Sequence, residues 1–202
     1  MGATQIHVQR LVGTMVDTRS DDTKTDATKT DDLKTDGRPS VARERFLGAM
    51  GRVFSSVSIV TTDGPAGRFA ITVSSAGSAS ADPPLVLACI QRRSPVNAAI
   101  AANGVFSVNV LAVGHEHLSD NFAGRPRQGA PFDFEAAEWA VSKTGAPLLK
   151  GAVAAFDCVV HSTHEAGSHT VFFGRVLDIV EAEDSTLIYG QRSYTQPLTT
   201  KS

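Results

Sequence analysis

Cysteine occurs only twice in 202 residues, as Cys89 and Cys158. Each lies inside an apolar, strand-like run, which rules out a disulfide framework of the secreted kind and fits reduced, packed thiols in a cytoplasmic protein. Net charge is nearly missing as well, at −2, so no partnership with nucleic acid through bulk electrostatics is expected. No run of about 18 apolar residues is present to span a bilayer, and the N-terminus lacks the apolar core of an export signal. The chain also has no Gly-x-Gly-x-x-Gly fingerprint, no Walker-type loop, no Gly-x-Ser-x-Gly elbow and no His-Glu-x-x-His pair. Rossmann, P-loop, serine-hydrolase and metalloprotease readings are therefore unsupported.

The remaining metal-capable side chains do not form a site on this reading. Cys158, His161, His164 and His169 are all of ligating types. Cys158 and His161, however, are three apart in a predicted strand, so their side chains leave opposite faces. His164 and His169 flank a turn at Glu165, Ala166 and Gly167, where solvated histidines are expected. His115-Glu116-His117 reads as the polar start of a helix. No metal is expected.

What is present divides into a tail and one domain. The triplet Lys-Thr-Asp recurs at 24–26, 29–31 and 34–36 with almost no apolar residue between. Such a segment cannot offset its ordering entropy by burial, so residues 1–40 are expected to be disordered. The domain, residues 41–202, is long enough for one substantial core. Phe46, Met50, Val53 and Phe54 recur at helical spacing, which predicts a short helix packed on the strands C-terminal to it. Residues 57–75 then read as strand, Gly/Pro turn and strand, a hairpin with Asp63-Gly64 at its tip. Further strands are expected at 85–90, 105–111, 138–142, 152–165, 168–183 and 186–190, with helices at 95–102 and 115–124. Many strands, short turns and few helices predict a mainly β fold, a closed or nearly closed barrel.

The informative stretch is residues 70–84, AITVSSAGSASADPP. A β-branched strand gives way to Ser, Ala and Gly, offering the hydroxyls of Thr72, Ser74, Ser75, Ser78 and Ser80 and open backbone with almost no bulk between them. A flat, phosphate-bearing ligand can lie against such a surface, although a weakly packed edge strand and loop would have the same composition. The segment after the next strand, QRRSPVNAAI, puts Ser94 at a helix N-cap with Pro95 at N1 and Arg92 and Arg93 beside it, a combination suited to an anion. His169, between Ser168 and Thr170, stands where a turn feeds an apolar strand.

The order of the segments RFAITVSSAGSASADPPLVLACI, RRSPVNAAI, FSVNVL, NFAG, GAPLLKGAVAAFDCVV, GSHTVFFGRV and LIYGQRSY resembles the flavin reductase-like, FMN-binding split-barrel family from about Phe46 to Leu198. The resemblance implies a Greek-key split β-barrel with a few short helices. It also implies a homodimer that uses NADH or NADPH to reduce free FMN or FAD and passes the reduced flavin to a partner monooxygenase. On this basis the flavin lies against residues 70–80, with Thr72, Ser74 and Ser75 near the ring and ribityl chain, Val73 and Ser80 in the same segment, and Ser78 toward the phosphate. Arg92, Arg93 and Ser94 match a second phosphate-proximal segment. His169 matches a histidine close to the nicotinamide, with Ser168 where family members carry an acidic neighbour, and Tyr194 matches an aromatic bordering the cleft. A non-enzymatic flavin carrier and a split-barrel flavin oxidase remain alternatives at this point.

Overall fold

The computed structural model describes residues 38–198, so nearly all of the expected tail lies outside the described residues. The elements in chain order are α1 (Arg43–Met50), β1 (Ser55–Ser56), β2 (Ser58–Thr62), β3 (Phe69–Val73), β4 (Ala76–Ala81), β5 (Pro84–Gln91), α2 (Pro95–Asn103), β6 (Val105–Val110), α3 (Glu116–Phe122), a 3-10 turn (Phe134–Ala136), β7 (Trp139–Ala140), β8 (Leu148–Leu149), β9 (Ala154–Ala166), β10 (His169–Glu181), β11 (Ile188–Gly190) and β12 (Ser193–Thr195). Seven strands form one sheet in the order β3-β2-β6-β9-β10-β5-β4, and every pairing in it is antiparallel. The first and last strands of that order, β3 and β4, are consecutive in sequence. The sheet therefore curls into a barrel split along one seam. None of the helices among the described residues is long and apolar enough to cross a membrane.

Side-chain period explains why the barrel has two apolar layers. Alternate residues of β5, Val86, Ala88 and Ile90, point inward and are buried, as period-2 patterning requires. They meet Val60, Ile71, Phe106, Cys158 and Phe172 inside the barrel, and α2 closes this core with Val96 and Ile100. α2 has the expected start: Ser94 Oγ accepts from Val96 N at 3.3 Å, and Pro95 occupies the first turn. It stops at Gly104, whose φ of 70° suits glycine and whose N–H donates to Ile100 O. On the outer face, Ile59, Ala70 and Leu111 pack under Leu118 and Phe122 of α3 and Leu148 and Leu149 of β8.

The segment 142–149 straps the polar part of that outer face. Thr61 and Ser107 both donate to Pro147 O, at 2.5 and 2.6 Å. Asn109 donates to Ile59 O at 3.0 Å and accepts from Leu149 N at 2.8 Å. Asp157, fully buried, accepts from the backbone N–H and the hydroxyl of Thr144.

Several sequence expectations are corrected. The helix ends at Met50, so Val53 and Phe54 lie beyond it, and no residue of α1 is buried; Leu47 and Met50 line a cleft rather than a core, and Phe46 is exposed. The serine-rich stretch is not a loop: residues 76–81 are the edge strand β4, paired only with β5. The strand expected at 138–142 shrinks to β7, and β1, β8 and β12 were missed because each is only two or three residues long. His164 lies within β9, and the turn is Gly167-Ser168, with Gly167 at φ 59°. The hairpin β2–β3 forms, but Asp63-Gly64 is not its tip: residues 63–68 connect the strands, and Gly67 N donates to Gly64 O at 2.9 Å around a turn centred on Pro65 and Ala66. β9 and β10 pair as a long hairpin.

Gly174 of β10 is required by packing. A Cβ there would lie 2.5 Å from Phe106 Cζ and 2.8 Å from Cys158 Cβ, and Phe106 is fully buried against Phe172. Gly174→Ala is expected to destabilise the fold by about 1–3 kcal/mol, the usual cost of overpacking a dense core. Urea unfolding checks this, and an unchanged midpoint would show that the Phe106 ring yields without cost.

Candidate functional site

The seam is where the sheet leaves backbone accessible. Between β3 and β4 the chain has only Ser74 and Ser75, both exposed. Ser75 is fastened to β5 on both sides of its peptide: its carbonyl accepts from Cys89 N at 3.0 Å, and its hydroxyl donates to Cys89 O at 3.3 Å. Ser74 is left to face a cleft of about 730 Å³. Leu47 and Met50 of α1 form one wall of that cleft, and Tyr189, Gln191 and Arg192 form another. The volume lies within the range of sites for small organic ligands, roughly 300–1,000 Å³. Burial raises the pKa of the Cys89 thiol beside Ser75, and burial pushes that of Cys158 up to about 12, so both are protonated at neutral pH.

The end of β5 gathers the other candidates next to this crossing. Gln91, two residues after Cys89, pairs with His169 at the start of β10. Arg92 N donates to Ser168 O at 2.9 Å. At about 3.3 Å per residue, Ser75, His169 and Arg92 fall along a strip roughly 10 Å long. Arg92 is exposed and ion-paired with Glu165, Nη2 to Oε2 at 3.2 Å, and Arg93 is exposed beside it. Ser94 is buried with its oxygen committed to the cap, so what it offers a ligand is the free end of α2 rather than its hydroxyl.

His169 is half-buried, with Nδ1 2.9 Å from Ser168 Oγ. Desolvation holds its pKa below the ordinary imidazole value, so the ring is neutral at pH 7. The folded state favours the neutral form. That contribution is complete above the ordinary imidazole value and is lost as pH falls through the lower folded value.

Five predicted residues lie elsewhere. Thr72 is buried, and its hydroxyl donates to Ser119 O at 2.8 Å, tying β3 to α3. Val73 points into the barrel core. Ser78 pairs with Val86 and Ser80 with Leu85, toward the end of β5 opposite to Arg92, and Ser80 Oγ accepts from Asp82 N at 3.2 Å. Tyr194 stands behind the cleft: its hydroxyl is 2.7 Å from Asp120 Oδ1 and 2.9 Å from Ser119 Oγ, and its ring lies edge-on to Tyr189 at 5.2 Å. Burial, the largest cause, raises its pKa. The lining residues Leu47, Met50, Tyr189, Gln191 and Arg192 escaped the sequence reading. The available signal was LIYGQRSY, in which a two-residue reversal interrupts two short β runs.

These residues fit a flat heterocycle carrying an anionic tail. The bulk-free crossing gives one wall, apolar side chains of α1 give another, and the α2 terminus with Arg92 and Arg93 supplies anion donors nearby.

The family description "Flavin reductase like domain" matches residues 50–197. The chain is 45% identical over 159 residues to "FMN reductase (NADH) RutF" of Ancylobacter novellus, covering 77% of this chain and 86% of that protein. Among solved structures it is similar to BorF, the flavin reductase component of a bacterial two-component tryptophan halogenase. The TM-score is 0.69 at 31% identity, over 77% of this chain and 98% of that one. It is also similar to the NADH:FAD oxidoreductase SgcE6 of Streptomyces globisporus in complex with NAD and FAD fragments. There the TM-score is 0.69 at 26% identity, over 80% of this chain and 98% of that one.

Because Tyr194 supports Tyr189 rather than facing the cleft, Tyr194→Phe is expected to lower stability by about 1 kcal/mol through its lost hydrogen bonds. Flavin affinity should change less than about twofold, since the ring contact that aligns Tyr189 is kept. Thermal unfolding and flavin titration together check this, and a large loss of affinity at parental stability would move Tyr194 into the binding surface.

Proposed function

The chain belongs to the flavin reductase like family, and we propose that it reduces free FMN or FAD with NADH or NADPH and releases the reduced flavin to a partner monooxygenase. The observation that carries this reading is the Ser74-Ser75 crossing, a stretch of accessible, bulk-free chain that forms one wall of a cleft and is bonded at Ser75 to β5, the strand that leads into the N-terminus of α2. When both are bound, the dihydronicotinamide delivers a hydride to the flavin, chemistry that needs no protein nucleophile.

The residues position and insulate. Ser74 and Ser75 let a ring approach the backbone closely and leave its other face open, while Leu47 and Met50 keep water from one side. Arg93 and the first turn of α2 bind a phosphate, and Arg92 joins them by exchanging its ion pair with Glu165 for the stronger anion. His169, neutral and held by the pairing with Gln91, positions the nicotinamide ring over the crossing. Thr72 and Val73 fix the end of β3 so that the crossing starts from a rigid point.

We assign the assembly to a homodimer. Phe46, Met50, Val53 and Phe54 are all about half exposed on and just after α1, where Met50 and Val53 also line the cleft, and a second copy would cover them. The two protonated thiols suit a reducing cytoplasm.

The purified protein mixed with FMN or FAD and NADH or NADPH tests the function directly. Catalytic loss of reduced-nicotinamide absorbance is expected. A tightly yellow protein without turnover would instead indicate a carrier, and a yellow protein oxidising an organic substrate would indicate an oxidase.

Arg92→Ala combined with Arg93→Ala should weaken FMN by about tenfold or more while changing riboflavin little, because only FMN brings a phosphate to the α2 terminus. Equal losses for both ligands would remove the arginines from the phosphate site. His169→Ala should slow flavin reduction on the order of ten- to a hundred-fold, about 1.4–2.7 kcal/mol of transition-state stabilisation, with flavin affinity unchanged. Single-turnover kinetics at saturating FMN and NADH separate the two effects, and a parental rate would reduce His169 to a strand-start residue.

A further inference from the structure

The least relaxed backbone around the cleft is the reversal between β11 and β12. Gly190 pairs with Ser193, so the loop is two residues, Gln191 and Arg192, with φ of 50° and 62°. A two-residue hairpin with both central φ positive is a type I′ turn, for which Asn-Gly or Gly-Gly is the relaxed choice. Here both positions carry long side chains. Strain of this kind persists only where the surroundings over-determine it, and the surroundings here do so. Gln191 N donates to Gly51 O at 2.9 Å, fastening the turn to the end of α1. Ser193 Oγ donates to Gly190 O at 3.3 Å across its base. Gly190 leaves room for the ring of Phe54, whose Cδ1 would lie 2.5 Å from any Cβ placed there.

The consequence of holding the turn this way is that Gln191 and Arg192 form the cleft wall beyond Tyr189, together with Ser74 and Ser75 at the crossing. The carboxamide of Gln191 makes no hydrogen bond among the described residues. A primary carboxamide presents a donor and an acceptor side by side. The complementary group on a flat heterocycle is an imide edge, in which a ring N–H lies between two carbonyls. The flavin ring has one such edge, and nicotinamide has none within its ring.

We propose that Gln191 reads the imide edge of the flavin, and so sets which way round the ring lies in the cleft. This rests on the reductase reading above and adds to it a residue that decides orientation and ring specificity. The N–H of the imide donates to the Gln191 carbonyl oxygen, and the Gln191 amino group donates to an adjacent ring carbonyl. The strained turn keeps this pair at a fixed height above the crossing.

The test uses riboflavin and 3-methylriboflavin, which differ only in the proton of the imide nitrogen and lack a phosphate, so that the ring end alone is measured. The parent protein should bind riboflavin about tenfold more tightly than the methylated analogue, by quenching of flavin fluorescence. Gln191→Gly should bind the two equally, at a melting temperature no lower than the parent's, because glycine takes the positive φ freely. Arg192→Gly relaxes the same turn without touching the carboxamide and should retain the tenfold ratio. The inference is overturned if the parent binds both flavins equally, or if Gln191→Gly keeps the ratio; in either case NADH oxidation by the parent would leave the reductase reading standing. A parent that binds neither flavin and oxidises no NADH in their presence would overturn both.

Discussion

One constraint of connectivity governs the rest of the structure: the two outermost strands of a seven-stranded sheet are joined by two residues. In a flat sheet with strands about 4.8 Å apart, β3 and β4 would lie nearly 30 Å from each other. Ser74 and Ser75 can span only about 10 Å. The sheet has to curl until its edges almost meet, and the curl encloses the core of Val60, Phe106, Phe172 and Ile90. The same two residues prevent complete closure, because a chain crossing between the edges cannot also be a ladder between them. A barrel split at this place is thus the solution that satisfies the connection, and the split leaves backbone accessible next to the end of β5.

The constraint sets where polar groups must be buried. Curling the sheet exposes a second face, and on β2 and β6 that face carries Thr61, Ser107 and Asn109, all fully buried. Left without partners, each would cost about 1–3 kcal/mol. Segment 142–149 supplies the partners through Pro147 O and Leu149 N, and its Thr144 does the same for the buried Asp157 of β9. Among the described residues no buried side-chain N or O is unpaired. An irregular stretch with short β pieces thereby becomes as fixed as a strand, and it holds the outer apolar layer over the barrel.

How much was legible in the sequence depended on whether the determining contact was local. Ser94 and Pro95 set one end of α2 and Gly104 the other, each through contacts within two to four residues, so the helix and its cap could be read directly. The hairpin β2–β3 was legible for the same reason. β4 was not, since Ala76–Ala81 has no alternating stripe and becomes a strand only because β5 offers it an open edge. The apolar spacing of Phe46 and Met50 was visible, but spacing cannot distinguish a core face from the wall of a cleft. The crossing at Ser74-Ser75 was found through its lack of bulk. The wall opposite, Tyr189 to Arg192, comes from far along the chain and is placed by Phe54 and Gly51, contacts that no local pattern encodes. For the same reason Tyr194 was chosen by likeness when its neighbour Tyr189 faces the cleft.

The ionisable side chains around the crossing show what kind of chemistry the site is built for. Desolvation raises Cys89 and lowers His169, and both shifts favour the uncharged form at neutral pH. A site for nucleophilic catalysis has the opposite character: it stabilises a thiolate or keeps a base poised beside a hydroxyl. Fixed positive charge stands on the cleft wall at Arg52 and Arg192 and, past the end of β5, at Arg93 and at Arg92, which is ion-paired with Glu165. The rest of the cleft lining is apolar side chains, serines, Tyr189, Gln191 and glycine backbone, with no carboxylate, thiol or imidazole among them. Transfer of a hydride between two stacked rings asks for close approach, fixed orientation and exclusion of water, and a wall made of Ser74 and Ser75 supplies the first of these by having so little side chain. On the function proposed above, the poverty of residues 70–84 in chemically distinctive groups is itself the signal, since the reaction is carried by ligands for which the protein must above all make room.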